Sequence, residues 1–179
     1  MIFYHYPQCP FCRRIRLFFG FKNIKYQSIA CDRGDKKVFE KFKNFKTLPI
    51  VEFDDGRILN ESLDILREIE QQHPYPIGFI GPIEQIFQWA STVVNGIPKY
   101  FEIIKNKDTE LFEKNILPHL APIIEKVEDQ YFIMGPTFSV ADCVLAADLS
   151  KLREIPDIKV PVEIVHYIAR VEKTCNTNL

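Results

Sequence analysis

Two cysteines stand two residues apart in Cys9-Pro10-Phe11-Cys12, directly after the short apolar run Ile2-Phe3-Tyr4-His5 and the turn residue Pro7. The run reads as a buried strand and Pro10 as the first residue of a helix, where its missing N–H leaves nothing unsatisfied. A thiol at such a helix start faces free backbone amides and the positive end of the helix dipole, which favour the thiolate. Arg13, just beyond the pair, is expected to add positive potential. Cys12 lies one turn on, within reach of a disulfide with Cys9. A thiol of lowered pKa is both an attacking and a leaving group at neutral pH, so the pattern points to disulfide exchange or thiol transfer. Two other readings stay open. A zinc site would need two further ligands, for which His5 and Cys31 are the nearby candidates, and the thiols could also be idle.

Three further patterns carry candidate roles. Leu48-Pro49 opens a strand, where a proline need not donate to the ladder; a cis bond there would let the Leu48 backbone turn toward the Cys9 thiol. Glu61-Ser62 begins a helix, either as a plain cap or as a pocket for the ionic end of a small ligand, with Ser62 toward a carboxylate and Glu61 toward an ammonium. Ser139-Val140-Ala141-Asp142 has the spacing of a capping box, a structural device that nucleates a helix. No Ser-His-Asp order, phosphate loop or paired-carboxylate motif stands out.

The elements that must position these residues alternate in the first part of the chain. Strands are expected at Ile2–His5, Tyr26–Ala30, Leu48–Phe53 and Arg57–Leu59. Helices are expected from Pro10 to a stop at Gly20, over Asp35–Asn44, and from Asn60 or Glu61 to about His73. Two strands joined by a helix should be parallel, and the pair flanking Asp54-Asp55-Gly56 is a hairpin. The result is a four-stranded mixed sheet with three helices in residues 1–73. The Pro/Gly-rich stretch 74–82 reads as a linker. Beyond it only helices are expected: Ile83–Ile97 (ended or kinked at Pro98), Thr109–Leu117, Ile123–Gln130, Ser139–Arg153 and Val162–Cys175.

Composition bounds the partners. The chain has 179 residues, 46% hydrophobic and 26% charged, enough for a packed core and too apolar for disorder. A net charge of −1 argues against a nucleic-acid binder. The charge is uneven, however: residues 1–46 hold 11 Lys/Arg against 3 Asp/Glu, which suits an anionic ligand. No membrane segment or leader is visible, and the five cysteines have no framework spacing, so a reducing, cytoplasmic setting is expected. Cys31, Cys143 and Cys175 read as buried or incidental thiols.

The four patterns, in this order, resemble the glutathione S-transferase superfamily, and specifically the two-domain glutaredoxins built on that scaffold. The resemblance implies a thioredoxin-like α/β domain over residues 1–73 and an all-α domain over 83–179, shortened relative to the family. It implies that Cys9 is the nucleophile and Cys12 the resolving thiol. Phe11, Leu48, Pro49, Glu61 and Ser62 would bind glutathione as co-substrate, with no metal. Lys36, or its neighbours Arg33 and Lys37, would reach the glycyl carboxylate. Disulfide-containing or glutathionylated proteins would be the partners, and a monomer is expected over a homodimer. The proline-bounded segment Pro118–Pro122 departs from the pattern and is expected to break a long helix. A transferase or dehydroascorbate-reductase-like enzyme and a non-catalytic binding protein on the same scaffold are the alternatives.

Overall fold

The computed structural model describes residues 1–34, 36–78, 106, 109–155 and 157–179. The expected helix Ile83–Ile97, the kink at Pro98 and the last part of the expected linker lie outside these residues.

Strand β1 (Ile2–His5) is central. It pairs in parallel with β2 (Gln27–Ala30) on one side and antiparallel with β3 (Ile50–Glu52) on the other, and β3 pairs antiparallel with β4 (Ile58–Leu59). The order β2-β1-β3-β4 is the expected four-stranded mixed sheet. Gly56, with φ at 84°, makes the tight turn of the hairpin. Three helices complete this part: α1 (Pro10–Phe21), α2 (Lys37–Lys41) and α3 (Ser62–Gln72). The arrangement is thioredoxin-like, and the described remainder is helical.

Helix α1 joins the two parts. Ile15, Leu17, Phe18 and Phe19 are fully buried. Phe3, Phe19 and Tyr26 form an aromatic cluster with centroids 4.5–5.7 Å apart, fixing α1 to the sheet. The helix does not stop at Gly20. It ends at Phe21, and Asn23 takes the left-handed conformation at φ 53°. The Asn23 N–H donates to the Gly20 carbonyl and the Ile24 N–H to the Phe19 carbonyl, a Schellman closure built on asparagine. Gly20 serves close approach instead. A Cβ there would fall inside the van der Waals shell of the Cys175 carbonyl oxygen and Thr177 Oγ1. Gly20→Ala is therefore expected to destabilise the protein by about 1–3 kcal/mol, as overpacking does. Urea unfolding checks this.

Helix α2 is shorter than expected, with Val38 and Phe42 buried and Phe39 half-buried. In α3 the core face is Ile65, Leu66 and Ile69, with Leu63 half-buried. Lys22 then holds the chain leaving α3, donating to the carbonyls of His73 and Pro76 and pairing with Glu70.

The expected break at Pro118–Pro122 does not occur. A helical turn at Thr109–Leu111 widens into a π turn at Phe112–Ile116 and runs into α4 (Leu117–Asp129), which contains Pro122. Pro118 sits in the first turn of α4, where its missing N–H is tolerated, and the wide turn lies directly before it. Helix α5 (Val140–Leu149) is buried along its whole length. It ends earlier than expected and tightens into a 3₁₀ turn over Ser150–Glu154, where Ser150 Oγ donates back to the Ala147 carbonyl at 2.7 Å. Helix α6 (Val162–Cys175) matches the expected bounds. The capping box is present at Ser139 and Asp142.

Candidate active site

The extended Cys9 caps α1, and its carbonyl accepts the Arg13 N–H at 2.9 Å as the first turn closes. Cys9 is 7% exposed and Cys12 is fully buried behind it. The Cys9 thiol is pulled down to about 6, first by the hydrogen bond that the Cys12 thiol donates, then by the amides of Cys12 and Phe11 and by the Arg33 charge; burial opposes them. Cys12 moves the other way, held protonated by that same hydrogen bond and by burial. One thiolate and one thiol donor at neutral pH is the division of labour that disulfide exchange needs.

Arg13 does not serve as the expected cation. It is buried, donating to Ser150 Oγ at 2.8 Å and to Glu154 Oε1 at 2.5 Å. Arg33 takes that role, from the turn that follows β2.

Cys9 opens into a cleft of about 450 Å³, a size suited to a small ligand. Its walls bring together Cys9, Phe11, Leu48, Pro49, Glu61 and Ser62, six of the seven residues given catalytic or glutathione-binding roles from sequence; the seventh, Cys12, lies buried behind Cys9. Leu48-Pro49 is cis. Glu61 is the N-cap of α3 yet makes no side-chain cap bond, so its carboxylate is not committed to the helix. Asn60 ties the two sides, its Nδ2 donating to the Thr47 and Pro49 carbonyls at 2.8 and 2.9 Å. Of the cations considered for a ligand carboxylate, Arg33 lines the cleft, whereas Lys36 and Lys37 do not. Lys46 and Tyr6 line it as well and were missed. Tyr6 directly follows β1 on the Cys9 side, a position the strand assignment could have flagged.

The other candidates have structural surroundings. His5 is buried, stacks on Phe3 at 4.7 Å and shares a 2.8 Å hydrogen bond with Ser28; burial, then Arg16, lowers it to about 4, so it is neutral at pH 7. Cys143 and Cys175 are fully buried, and burial holds the Cys143 thiol well up. Among the described residues no group of three His, Cys, Asp or Glu is placed to hold a metal ion, and no helix is long and apolar enough to cross a membrane.

The titration of Cys9 is a direct check. Thiolate absorbance should rise with a midpoint near 6, and a brief iodoacetamide pulse at neutral pH should label Cys9 while Cys143 and Cys175 stay unlabelled until unfolding. Because the folded value lies below the ordinary 9.0, the thiolate stabilises the reduced fold fully above that value, and the gain is lost as pH falls through about 6. The melting temperature of reduced wild type relative to Cys9→Ser should therefore be higher at pH 9 than at pH 5.

The chain is similar to several known proteins. Residues 3–77 match the family model of the glutathione S-transferase N-terminal domain. Glutaredoxin 2 of Escherichia coli K12 is 31% identical over 77 residues, which are 43% of this chain and 36% of that protein, so the alignment spans about a third of the relative's length. Glutathione S-transferase DHAR3 of Arabidopsis thaliana is 26% identical over 148 residues, 81% of this chain and 55% of that protein. The crystal structure of Glutaredoxin 2 from Salmonella typhimurium, in complex with glutathione, superposes with a TM-score of 0.67 at 25% identity, covering 99% of this chain and 95% of that one.

Proposed function

We propose that this chain, whose residues 3–77 match the glutathione S-transferase N-terminal domain and which is similar to Glutaredoxin 2, is a glutathione-dependent thiol–disulfide oxidoreductase. The observation that carries the reading is the Cys9 thiol, lowered to about 6 and open to a cleft that also holds Leu48, Glu61 and Ser62. Glutathione is an extended peptide-like anion with a carboxylate at each end and one ammonium. On this reading the Leu48 backbone pairs with its cysteinyl unit, as a strand edge does with an extended peptide. Ser62 and the α3 N-terminus take the γ-glutamyl carboxylate and Glu61 the ammonium. Arg33 and Lys46 take the glycyl carboxylate, and Phe11 and Pro49 supply apolar wall.

The Cys9 thiolate attacks the glutathionyl sulfur of a mixed disulfide, breaking its S–S bond and releasing the other sulfur as a thiol after protonation. A second glutathione thiolate then attacks the Cys9–glutathione bond, giving glutathione disulfide and restoring Cys9. With a protein disulfide, Cys9 forms the mixed disulfide, Cys12 displaces the second thiol, and two glutathiones reduce the Cys9–Cys12 bond. Electrons pass from glutathione to the substrate disulfide in both cases. Glutathione and disulfide-containing or glutathionylated proteins are the partners of a monomer. The proposed organisation is a thioredoxin-like domain over 1–73, a linker over 74–82 and a helical domain over 83–179.

The test is glutathione-coupled reduction of a small glutathione mixed disulfide. Turnover that requires Cys9 supports the reading; absence of turnover at any glutathione concentration overturns it. The longer alignment to the Arabidopsis transferase favours one second reading, a glutathione transferase using Cys9 alone. That reading expects Cys12→Ser to keep activity toward a non-disulfide substrate.

A further inference from the structure

Helix α1 places Phe11 and Arg14 three positions apart, on one face. The Arg14 guanidinium lies over the Phe11 ring, 4.6 Å from its centroid. Phe11 is 37% exposed and walls the cleft beside Cys9. Arg14 is buried, and its Nη2 donates to both carboxylate oxygens of Asp148, at 2.8 and 3.1 Å. Asp148 is equally buried in the last turn of α5, far from the thiols in sequence. The contacts continue along the same stretch: Ser150 and Glu154 accept from Arg13, and Lys151 Nζ lies 3.4 Å from the Gln8 carbonyl oxygen. Residues 148–154 thus hold the chain on both sides of Cys9.

A guanidinium can stay buried against an aromatic face only where a carboxylate balances its charge and fixes its plane. We propose that Asp148 is a positioning residue for the thiol cleft: through Arg14 it holds the Phe11 ring as the wall against which the substrate disulfide is seated. The substrate part of this proposal rests on the disulfide-exchange reading above.

The experiment compares Asp148→Asn, Arg14→Lys, Phe11→Ala and the Asp148→Asn/Phe11→Ala double variant on a small glutathione mixed disulfide. Asp148→Asn and Arg14→Lys should each raise KM about 3–10-fold, the scale of a partly desolvated cation–π contact, with kcat within about twofold and the Cys9 titration unmoved. Phe11→Ala should raise KM too, and the double variant should rise no further than the larger single effect. Effects that multiply, or a lowered melting temperature with KM unchanged, overturn the proposal. Arg14→Lys retains the ion pair and loses the planar stack, so it gives the answer should Asp148→Asn fail to fold. If wild type turns over no glutathione mixed disulfide, the disulfide-exchange reading falls separately. The positioning role is then read without glutathione, from the ratio of Cys9 alkylation rates by an aromatic maleimide and by iodoacetamide. Asp148→Asn and Arg14→Lys should shift that ratio in the direction Phe11→Ala does; an unshifted ratio overturns the proposal.

Discussion

Cys9→Ser should lower turnover of a glutathione mixed disulfide by at least about 10³-fold, the scale on which enzymes lose activity with their nucleophile. The fold should survive, because serine is smaller and Cys9 sits at a helix cap, where a hydroxyl is well tolerated. Cys12→Ser should behave differently. On the proposed mechanism it removes the thiol that displaces a bound protein, so reduction of protein disulfides should fall by at least about 10²-fold while glutathione mixed disulfides still turn over. It also replaces the donor that contributes most to lowering Cys9. A hydroxyl at position 12 can still donate, so the Cys9 midpoint should rise with Cys12→Ala more than with Cys12→Ser. Parallel assays on the two substrate types, with thiolate titration of each variant, check all three statements. Equal loss on both substrates for Cys12→Ser would contradict the division of roles.

The thiol cleft was legible because its parts are locally encoded. A strand, a short turn and a proline at the first helical position determine where Cys9 sits relative to free amides, and all of that lies within twelve residues. Leu48-Pro49 and Glu61-Ser62 were legible as an ordered set, and strand pairing brings them to the same cleft. What sequence misplaced depended on distant partners. Arg13 looked free to face Cys9, but Ser150 and Glu154, 137 and 141 residues away, turn it toward the helical part. Gly20 looked like a helix stop because glycine commonly is one; its neighbour is the end of α6, which no local pattern announces. The prolines at 118 and 122 looked like breakers, since nothing nearby signals that Pro118 falls in the first turn of α4, directly after a π turn, or that the helix continues through Pro122. Arg33 became the cation facing Cys9 because β2 runs parallel to β1 and delivers its far end to the same edge as the thiol.

Stability should be most sensitive at Asp142, the capping-box residue, which does not line the thiol cleft. Its carboxylate is fully buried and accepts four hydrogen bonds. Oδ2 receives the Ser139 N–H at 2.8 Å and the Ser139 hydroxyl at 3.0 Å; Oδ1 receives the Ile133 N–H at 2.9 Å and the Tyr167 hydroxyl at 2.8 Å. One side chain therefore caps α5, anchors the loop before it and joins α5 to α6. Asp142→Ala leaves two main-chain donors and a buried phenol without partners, each worth about 1–3 kcal/mol, so a loss on the order of 3–5 kcal/mol is expected. That is a large share of the roughly 5–15 kcal/mol that holds a domain folded. Asp142→Asn should lose less. Its amide has one oxygen, and in either orientation its NH₂ group faces the N–H of Ser139 or of Ile133, so one main-chain donor stays unpaired. Tyr167→Phe removes one donor while Oδ1 keeps the Ile133 bond, and about 1 kcal/mol is expected. Urea unfolding of the three variants should rank Asp142→Ala, then Asp142→Asn, then Tyr167→Phe, with similar slopes. A Tyr167→Phe loss as large as that of Asp142→Ala would mean that the phenol, not the carboxylate, holds α5 and α6 together.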